Sequence, residues 1–274
     1  MSQVAAIQMA SGPNVRANLH EAARLISIAA DAGAQLAVLP ENFAIMGMSE
    51  YDKVRIREQD GRGPIQEFLA QQAIKHRIWL VGGTIPLAAH NSDKVRAACL
   101  LIDAQGERRA RYDKIHLFDV RIDEGNETYA ESQTIEPGNE LLVVDSPFGR
   151  VGIAICYDLR FPELFRRLLD DRMELLVLPA AFTAITGKAH WEAMVRTRAI
   201  ENLCHVVAAA QGGYHVNGRE THGDSMIVDP WGVILDRLQR GSGVVMAEID
   251  VHRLHSIRRN FPAIDHRKLH CALD

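Results

Sequence analysis

The chain has 274 residues, 47% apolar and 24% charged, with 31 basic against 35 acidic side chains and a formal charge of −4. That balance supplies enough apolar material for a sizeable core, and it excludes the basic stripe that nucleic acid or an anionic membrane surface demands. The start carries no basic leader, and no uncharged apolar stretch nears the ~20 residues a bilayer span requires, so the expectation is a cytoplasmic protein with no membrane partner.

In chain order, Val4–Met9 reads as a short buried strand, and Asn14–Asp31 as a helix with Val15, Leu19, Ala22, Leu25 and Ile28 on one face. Leu36–Pro40 is the next strand, followed by a helix over Pro64–His76 and strands over Trp79–Thr84 and Ala97–Asp103. The second half repeats the alternation: strand Val151–Cys156, helix Pro162–Asp171, strand Leu175–Pro179, helix Ala189–Leu203 and strand His205–Gln211. Strands over Ser225–Asp229 and Val244–Ile249 close the series.

Alternating strands and helices favour an α/β fold. Asp103–Gly106, Ser146–Gly149 and Pro230–Gly232 are too short to hold a helix and read as hairpin turns, so the sheets are mixed. A sandwich of two mixed sheets with helices outside fits that pattern. Gly33–Phe43 echoes Arg172–Phe182: each is a helix end, a strand, then a proline where the strand stops. With no linker or low-complexity tract, residues 1–274 read as a single domain. Leu117–Ala130 is polar and lacks periodicity, which predicts a mobile loop over a pocket.

Four cysteines (Cys99, Cys156, Cys204 and Cys271) are far apart and form no CxxC pair, which argues against a disulfide frame or a zinc ribbon. Cys156 differs from the rest because it closes a strand and is followed by Pro162, a residue suited to the first turn of a helix. A sharp strand-to-helix turn pushes a side chain out of the sheet and leaves backbone amides, here that of Tyr157, free to hold an oxyanion. A thiol titrates near ~8.5, so a nucleophile needs a base or a cation beside it. Glu41, directly after Pro40 at a strand end, is placed to be that base. Lys114 leaves the second strand of a hairpin; taken alone, it reads as a surface lysine.

Three blocks, Pro40-Glu41-Asn42-Phe43, Tyr112-Asp113-Lys114-Ile115-His116 and Cys156-Tyr157-Asp158-Leu159-Arg160-Phe161-Pro162-Glu163, together resemble the catalytic blocks of the nitrilase superfamily, in the right order. The resemblance runs from Val4–Met9 to Val228–Gly232. It implies a four-layer α-β-β-α sandwich and carbon–nitrogen hydrolysis through a thioester. Cys156 would be the nucleophile, Glu41 the base, and Lys114 the cation that stabilises the oxyanion. It implies a second glutamate between lysine and cysteine, for which Glu131 is the candidate, with Glu127 and Glu136 as alternatives. It also implies no metal or other cofactor, a small-molecule amide as partner, and at least a homodimer with the segment from about 250 to 274 at the subunit interface.

Ala181–Gly187, Ala189–Glu192 and His222–Gly232 resemble the branch that hydrolyses ω-amides of α-keto acids. That likeness puts Phe182 and Thr183 against the substrate. Two activities compete within the branch. One releases 2-oxoglutarate and cysteinylglycine from deaminated glutathione; the other converts 2-oxoglutaramate to 2-oxoglutarate and ammonia. Val206–Gln211 and Cys156–Leu164 look more like the first. Arg160, four residues past the nucleophile, is the candidate partner for one substrate carboxylate. Arg121, the only basic residue in Leu117–Ala130, is the candidate for the other.

Other readings are weaker. A papain-like protease would pair the cysteine with His116, His190 or His222, but no Cys-Gly-x-Cys-Trp block is present. HExxH, GxGxxG and P-loop patterns are also lacking. A nitrilase-like scaffold that binds a partner without turnover would be favoured by loss of one of the three residues, and none is lost. Iodoacetamide separates the two classes, since a working Cys156 reacts far faster than the other cysteines.

Overall fold

Strands β1 (Ser2–Gln8), β2 (Leu36–Val38) and β3 (Trp79–Val81) run parallel, connected through helices α1 (Val15–Asp31), α2 (Asp52–Arg55, a single turn) and α3 (Pro64–His76). This computed structural model describes residues 1–125 and 127–269. Antiparallel β5 (Val95–Ile102) extends the sheet beyond β3, flanked by β4 (Ile85–Ala88) and β6 (Arg108–Asp113). A separate two-stranded hairpin follows, β7 (Asp119–Ile122) with β8 (Glu127–Ala130).

The second sheet repeats the plan. After β9 (Val143–Ser146), strands β10 (Gly149–Ile153), β11 (Leu175–Ala180) and β12 (His205–Ala210) run parallel, connected by α4 (Pro162–Asp170) and α5 (Ala184–Asn202). A small hairpin of β13 (Gly212–Tyr214) and β14 (Glu220–His222) interrupts, and β15 (Ser225–Val228) and β16 (Ile234–Leu238) extend the sheet antiparallel. Finally β17 (Gly243–Ile249) crosses back to pair antiparallel with β1, and α6 (Val251–Asn260) follows.

The period of two along each strand divides its side chains between layers. On β1, Val4 and Ala6 join the core that includes Val151, Ile153, Leu175 and Val177 of the facing sheet. Ala5 and Ile7 point the other way, into a core shared with Ala22, Leu25 and Ile26 of α1 and Leu69 of α3. Helices therefore cover the outer faces and the sheets face each other, the four layers expected. The echo between Gly33–Phe43 and Arg172–Phe182 falls on β2 and β11, the middle strands of the two parallel triplets. Gly33 and Arg172, which lead into them, both adopt positive φ.

Three segments differ from the sequence reading. Leu117–Ala130 forms the β7–β8 hairpin instead of an irregular loop. Its strands are four residues each and only half-buried, too short for the apolar alternation that marks a sheet strand. Helix α5 begins at Ala184, five residues before the expected Ala189, because the Thr183 hydroxyl caps it by accepting from the Thr186 N–H at 3.2 Å. Gly187 masked that start. It is glycine because the β13–β14 hairpin lies against it, and a Cβ there would sit 2.2 Å from that of His222. The third is α6, unanticipated in the C-terminal segment, which holds to its own chain through Arg258, whose guanidinium donates to the Met173 and Leu203 carbonyls. Cys271, and the end of the expected interface segment, lie outside the described residues.

Candidate active site

Three strand ends converge on one cleft. The chain leaves β2 through Leu39 and Pro40 and turns at Asn42, whose φ of 57° lies in the left-handed region that asparagine tolerates. Gly83 passes so close that a Cβ there would stand 2.1 Å from the Pro40 carbonyl oxygen. The Asn42 N–H donates to the Thr84 hydroxyl at 2.8 Å. This packing points Glu41 into the cleft, 3% exposed. Lys114 follows β6, its backbone N–H bonded to the Ala97 carbonyl and its side chain 1% exposed.

Cys156 opens a 3-10 turn over Cys156–Arg160 and holds a φ of 47°. Such a conformation costs a non-glycine residue about 1 kcal/mol and persists only where neighbours enforce it. The neighbour here is Asp158, fully buried. Its carboxylate accepts from the Ile155 N–H at 2.9 Å, the Tyr112 hydroxyl at 2.8 Å and the His116 N–H at 3.0 Å, and it lies 2.7 Å from His116 Nδ1. One carboxylate thus ties the cysteine turn to the segment that carries Lys114. Sequence reasoning did not assign it a role, although Tyr112, His116 and Asp158 all stood in the recognised blocks.

Lys114 Nζ donates to Glu41 Oε1 at 2.8 Å and to both Glu131 oxygens at 3.0 and 2.8 Å. Glu131 sits on a 3-10 turn after β8, and its Oε2 also accepts from the Phe118 N–H at 2.7 Å. This resolves the three candidate glutamates geometrically. Glu127 accepts from the Tyr129 hydroxyl, and Glu136 pairs with Arg96; only Glu131 reaches Lys114.

Burial opposes the Lys114 charge, but the Glu131 and Glu41 carboxylates outweigh it and hold the ammonium well above its ordinary pKa. Burial also works against the Glu131 carboxylate, and Lys114 overrides it, keeping that group below its ordinary value. Cys156 goes the other way. Burial first and the Glu41 carboxylate second push the thiol well up, against the pull of Lys114. Cys99 and Cys204 are buried within the core, their thiols raised by desolvation, that of Cys204 to about 12.

The cleft encloses about 530 Å³ of empty space, mouth included. Glu41, Lys114, Glu131, Cys156, Tyr157, Arg160, Phe182 and Thr183 all line it, so eight of the nine sequence candidates come together. Arg121 does not. Along β7 the side chains alternate: Val120 and Ile122 are half-buried while Arg121 is exposed and pairs with the equally exposed Asp123. That parity turns Arg121 away from the cleft and removes it as a substrate contact.

Two guanidinium groups do reach the cleft. Arg160 lies over the Tyr157 and Phe182 rings, 5.9 and 5.4 Å from their centroids, with His190 Nδ1 3.4 Å away. Arg219 comes from the β13–β14 hairpin, stacks over Tyr129 at 5.1 Å and donates to the Ala181 carbonyl at 2.7 Å. Among the described residues, neither has a carboxylate within ion-pair distance. Sequence reasoning missed Arg219, as it did Lys53 and Glu50 beside it on the rim. The available signal was Asn217-Gly218, a dipeptide that favours a tight hairpin turn and here links β13 to β14.

The chain matches the carbon-nitrogen hydrolase family over residues 3–259. Deaminated glutathione amidase of Synechocystis sp. is 43% identical over 266 residues, covering 96% of this chain and 97% of the relative. The human protein of that name is 39% identical over 269 residues, covering 97% of this chain and 82% of the relative. Among solved structures, the C. elegans NitFhit protein superposes with a TM-score of 0.89 at 36% identity, over 97% of this chain and 65% of that longer one. Saccharomyces cerevisiae Nit3, a member of branch 10 of the nitrilase superfamily, gives a TM-score of 0.87 at 30% identity, over 98% of this chain and 97% of that one.

Proposed function

This chain belongs to the carbon-nitrogen hydrolase family, and on that premise we propose that it is a cysteine-dependent amidase whose substrate is deaminated glutathione. The observation that carries the substrate is the near full-length similarity to amidases bearing that name. A cleft with two guanidinium groups that lack carboxylate partners agrees with a substrate that is anionic at both ends.

In the proposed mechanism Glu41 takes the thiol proton as Cys156 Sγ bonds to the amide carbon. The carbonyl oxygen becomes anionic between Lys114 Nζ and the Tyr157 N–H, contacts of a kind worth roughly 3–4 kcal/mol. Glu41 returns the proton to nitrogen, the C–N bond breaks, and cysteinylglycine leaves. Water, deprotonated by Glu41, cleaves the thioester and frees 2-oxoglutarate and the thiol. Net charge among Glu41, Lys114, Glu131 and the thiol is −1 before attack and 0 after it, because one negative charge passes from Glu41 to the substrate oxygen. Glu131 keeps Lys114 cationic while Glu41 is protonated. Arg160 holds the keto-acid carboxylate against the wall formed by Phe182 and Thr183.

We place the enzyme in the cytoplasm, as a single domain and a homodimer or larger assembly. Among the described residues the cysteines are unpaired and no helix is long and apolar enough to cross a membrane, and Trp231 and Phe261 stack on the surface. The deciding experiment measures kcat/KM on deaminated glutathione, 2-oxoglutaramate and a simple nitrile, with Cys156→Ala as control. Deaminated glutathione should lead and the control should be inert. A lead for 2-oxoglutaramate would make the protein an ω-amidase instead.

A further inference from the structure

We infer that Arg219 holds the carboxylate at the leaving-amine end of the substrate and so sets the preference for a dipeptide over ammonia. The inference rests on the substrate reading above. It starts from a mismatch between how Arg219 is built in and what it bonds to. The guanidinium lies over Tyr129 and its Nη2 donates to the Ala181 carbonyl, while its Nε is buried with no hydrogen-bond partner among the described residues. A cation fixed this way on a cleft wall, without a carboxylate partner among the described residues, is organised for an anion brought from outside.

Its position indicates which end it serves. Arg160 belongs to the turn of the nucleophile itself and lies against Tyr157 and Phe182. Arg219 lies over Tyr129, and Glu50 and Lys53, of the segment that continues from Glu41, line the same cleft. The amine must depart beside Glu41, the group that protonates it. We therefore assign the arm that leaves past Glu41 to Arg219 and the acyl arm to Arg160. Lys53, paired with Glu50 at 2.7 Å, is already neutralised and does not compete.

The hairpin that carries Arg219 is fastened where this matters. The His222 N–H donates to the Phe182 carbonyl at 2.9 Å, and Thr183 bridges to Thr221. The arginine is therefore referenced to the same backbone segment that contacts the acyl arm, which fixes the spacing between the two cations.

The test compares wild type, Arg219→Ala and Arg160→Ala on deaminated glutathione, on 2-oxoglutaramate, and on deaminated glutathione whose glycyl carboxylate is converted to the amide. Arg219→Ala should cost roughly ten- to a hundredfold in kcat/KM on deaminated glutathione, mostly through KM, and far less on 2-oxoglutaramate. Arg160→Ala should fall on both. Wild type should lose on the amidated substrate what Arg219→Ala loses on the parent, and the variant should lose nothing more on amidation. Equal losses for Arg219→Ala on both natural substrates, or a full further loss on amidation, overturn the inference. Failure of the substrate reading shows separately, in wild type alone, as poor turnover of deaminated glutathione beside 2-oxoglutaramate, and it takes the inference with it.

Discussion

The floor of the cleft and its rim are built on different principles. Glu41, Lys114 and Cys156 stand at strand ends of the two sheets, and the ammonium has its carboxylates within 3.0 Å. Arg160, Arg219 and Tyr129 stand on turns and small hairpins, and the two cations there lack carboxylate partners. On the proposed mechanism, a floor whose charges satisfy one another is ready to react before substrate arrives. On the same reading, a rim with two arginines left without carboxylates is completed by the substrate. Chemistry and selectivity are thereby separable, and mutations should sort by layer.

The sharpest break between the layers is expected at Lys114. Lys114→Arg should lower kcat roughly a hundred- to a thousandfold on every substrate, because a planar fork cannot put its charge where the compact ammonium does. Steady-state kinetics that returned a normal kcat with a raised KM would move Lys114 into the rim and erase the distinction.

Glu131 tests whether the floor is also a stability element. Its folded pKa lies below the unfolded value, so its contribution is complete above the ordinary carboxylate range and is lost as pH falls through the lowered value. Lys114, raised, stays charged throughout that window. Glu131→Gln should cost roughly 1.5–3 kcal/mol at neutral pH by urea unfolding. Wild type and variant should converge on acidification. Parallel curves down to strong acid would mean that the Glu131 contribution is not ionic.

The smallest effect probes how the rim is attached. Gly187→Ala places a methyl against His222 and must shift the β13–β14 hairpin. Overpacking of this kind costs about 1–3 kcal/mol. KM for deaminated glutathione should rise while kcat on 2-oxoglutaramate changes little. A comparable loss of kcat on both substrates would show the hairpin to be continuous with the floor.

The same division governs what the sequence discloses. Glu41 and Cys156 belong to blocks in which an apolar strand run ends in a proline or a turn, as in Leu36–Glu41 and Val151–Cys156, whereas Lys114 follows the charged strand β6 and is legible only through the resemblance. Rim residues are placed by tertiary contacts that leave a faint trace. Arg121 and Arg219 look alike along the chain, both arginines in short, weakly patterned segments. Only the parity of β7 and the docking of β14 onto Phe182 turn one outward and the other inward. Asp158 is a third case: its type was in plain view, but its role depends on three donors from two separate segments.

The left-handed backbone at Cys156 sets selection for folding against selection for turnover. At most positions an alanine serves a fold better than a glycine, but a φ of 47° reverses that order locally. A gene copy released from the need to hydrolyse anything would drift toward the residue that relaxes this turn. On the proposed mechanism the cysteine is retained there for its chemistry, so its identity would distinguish working descendants from idle ones.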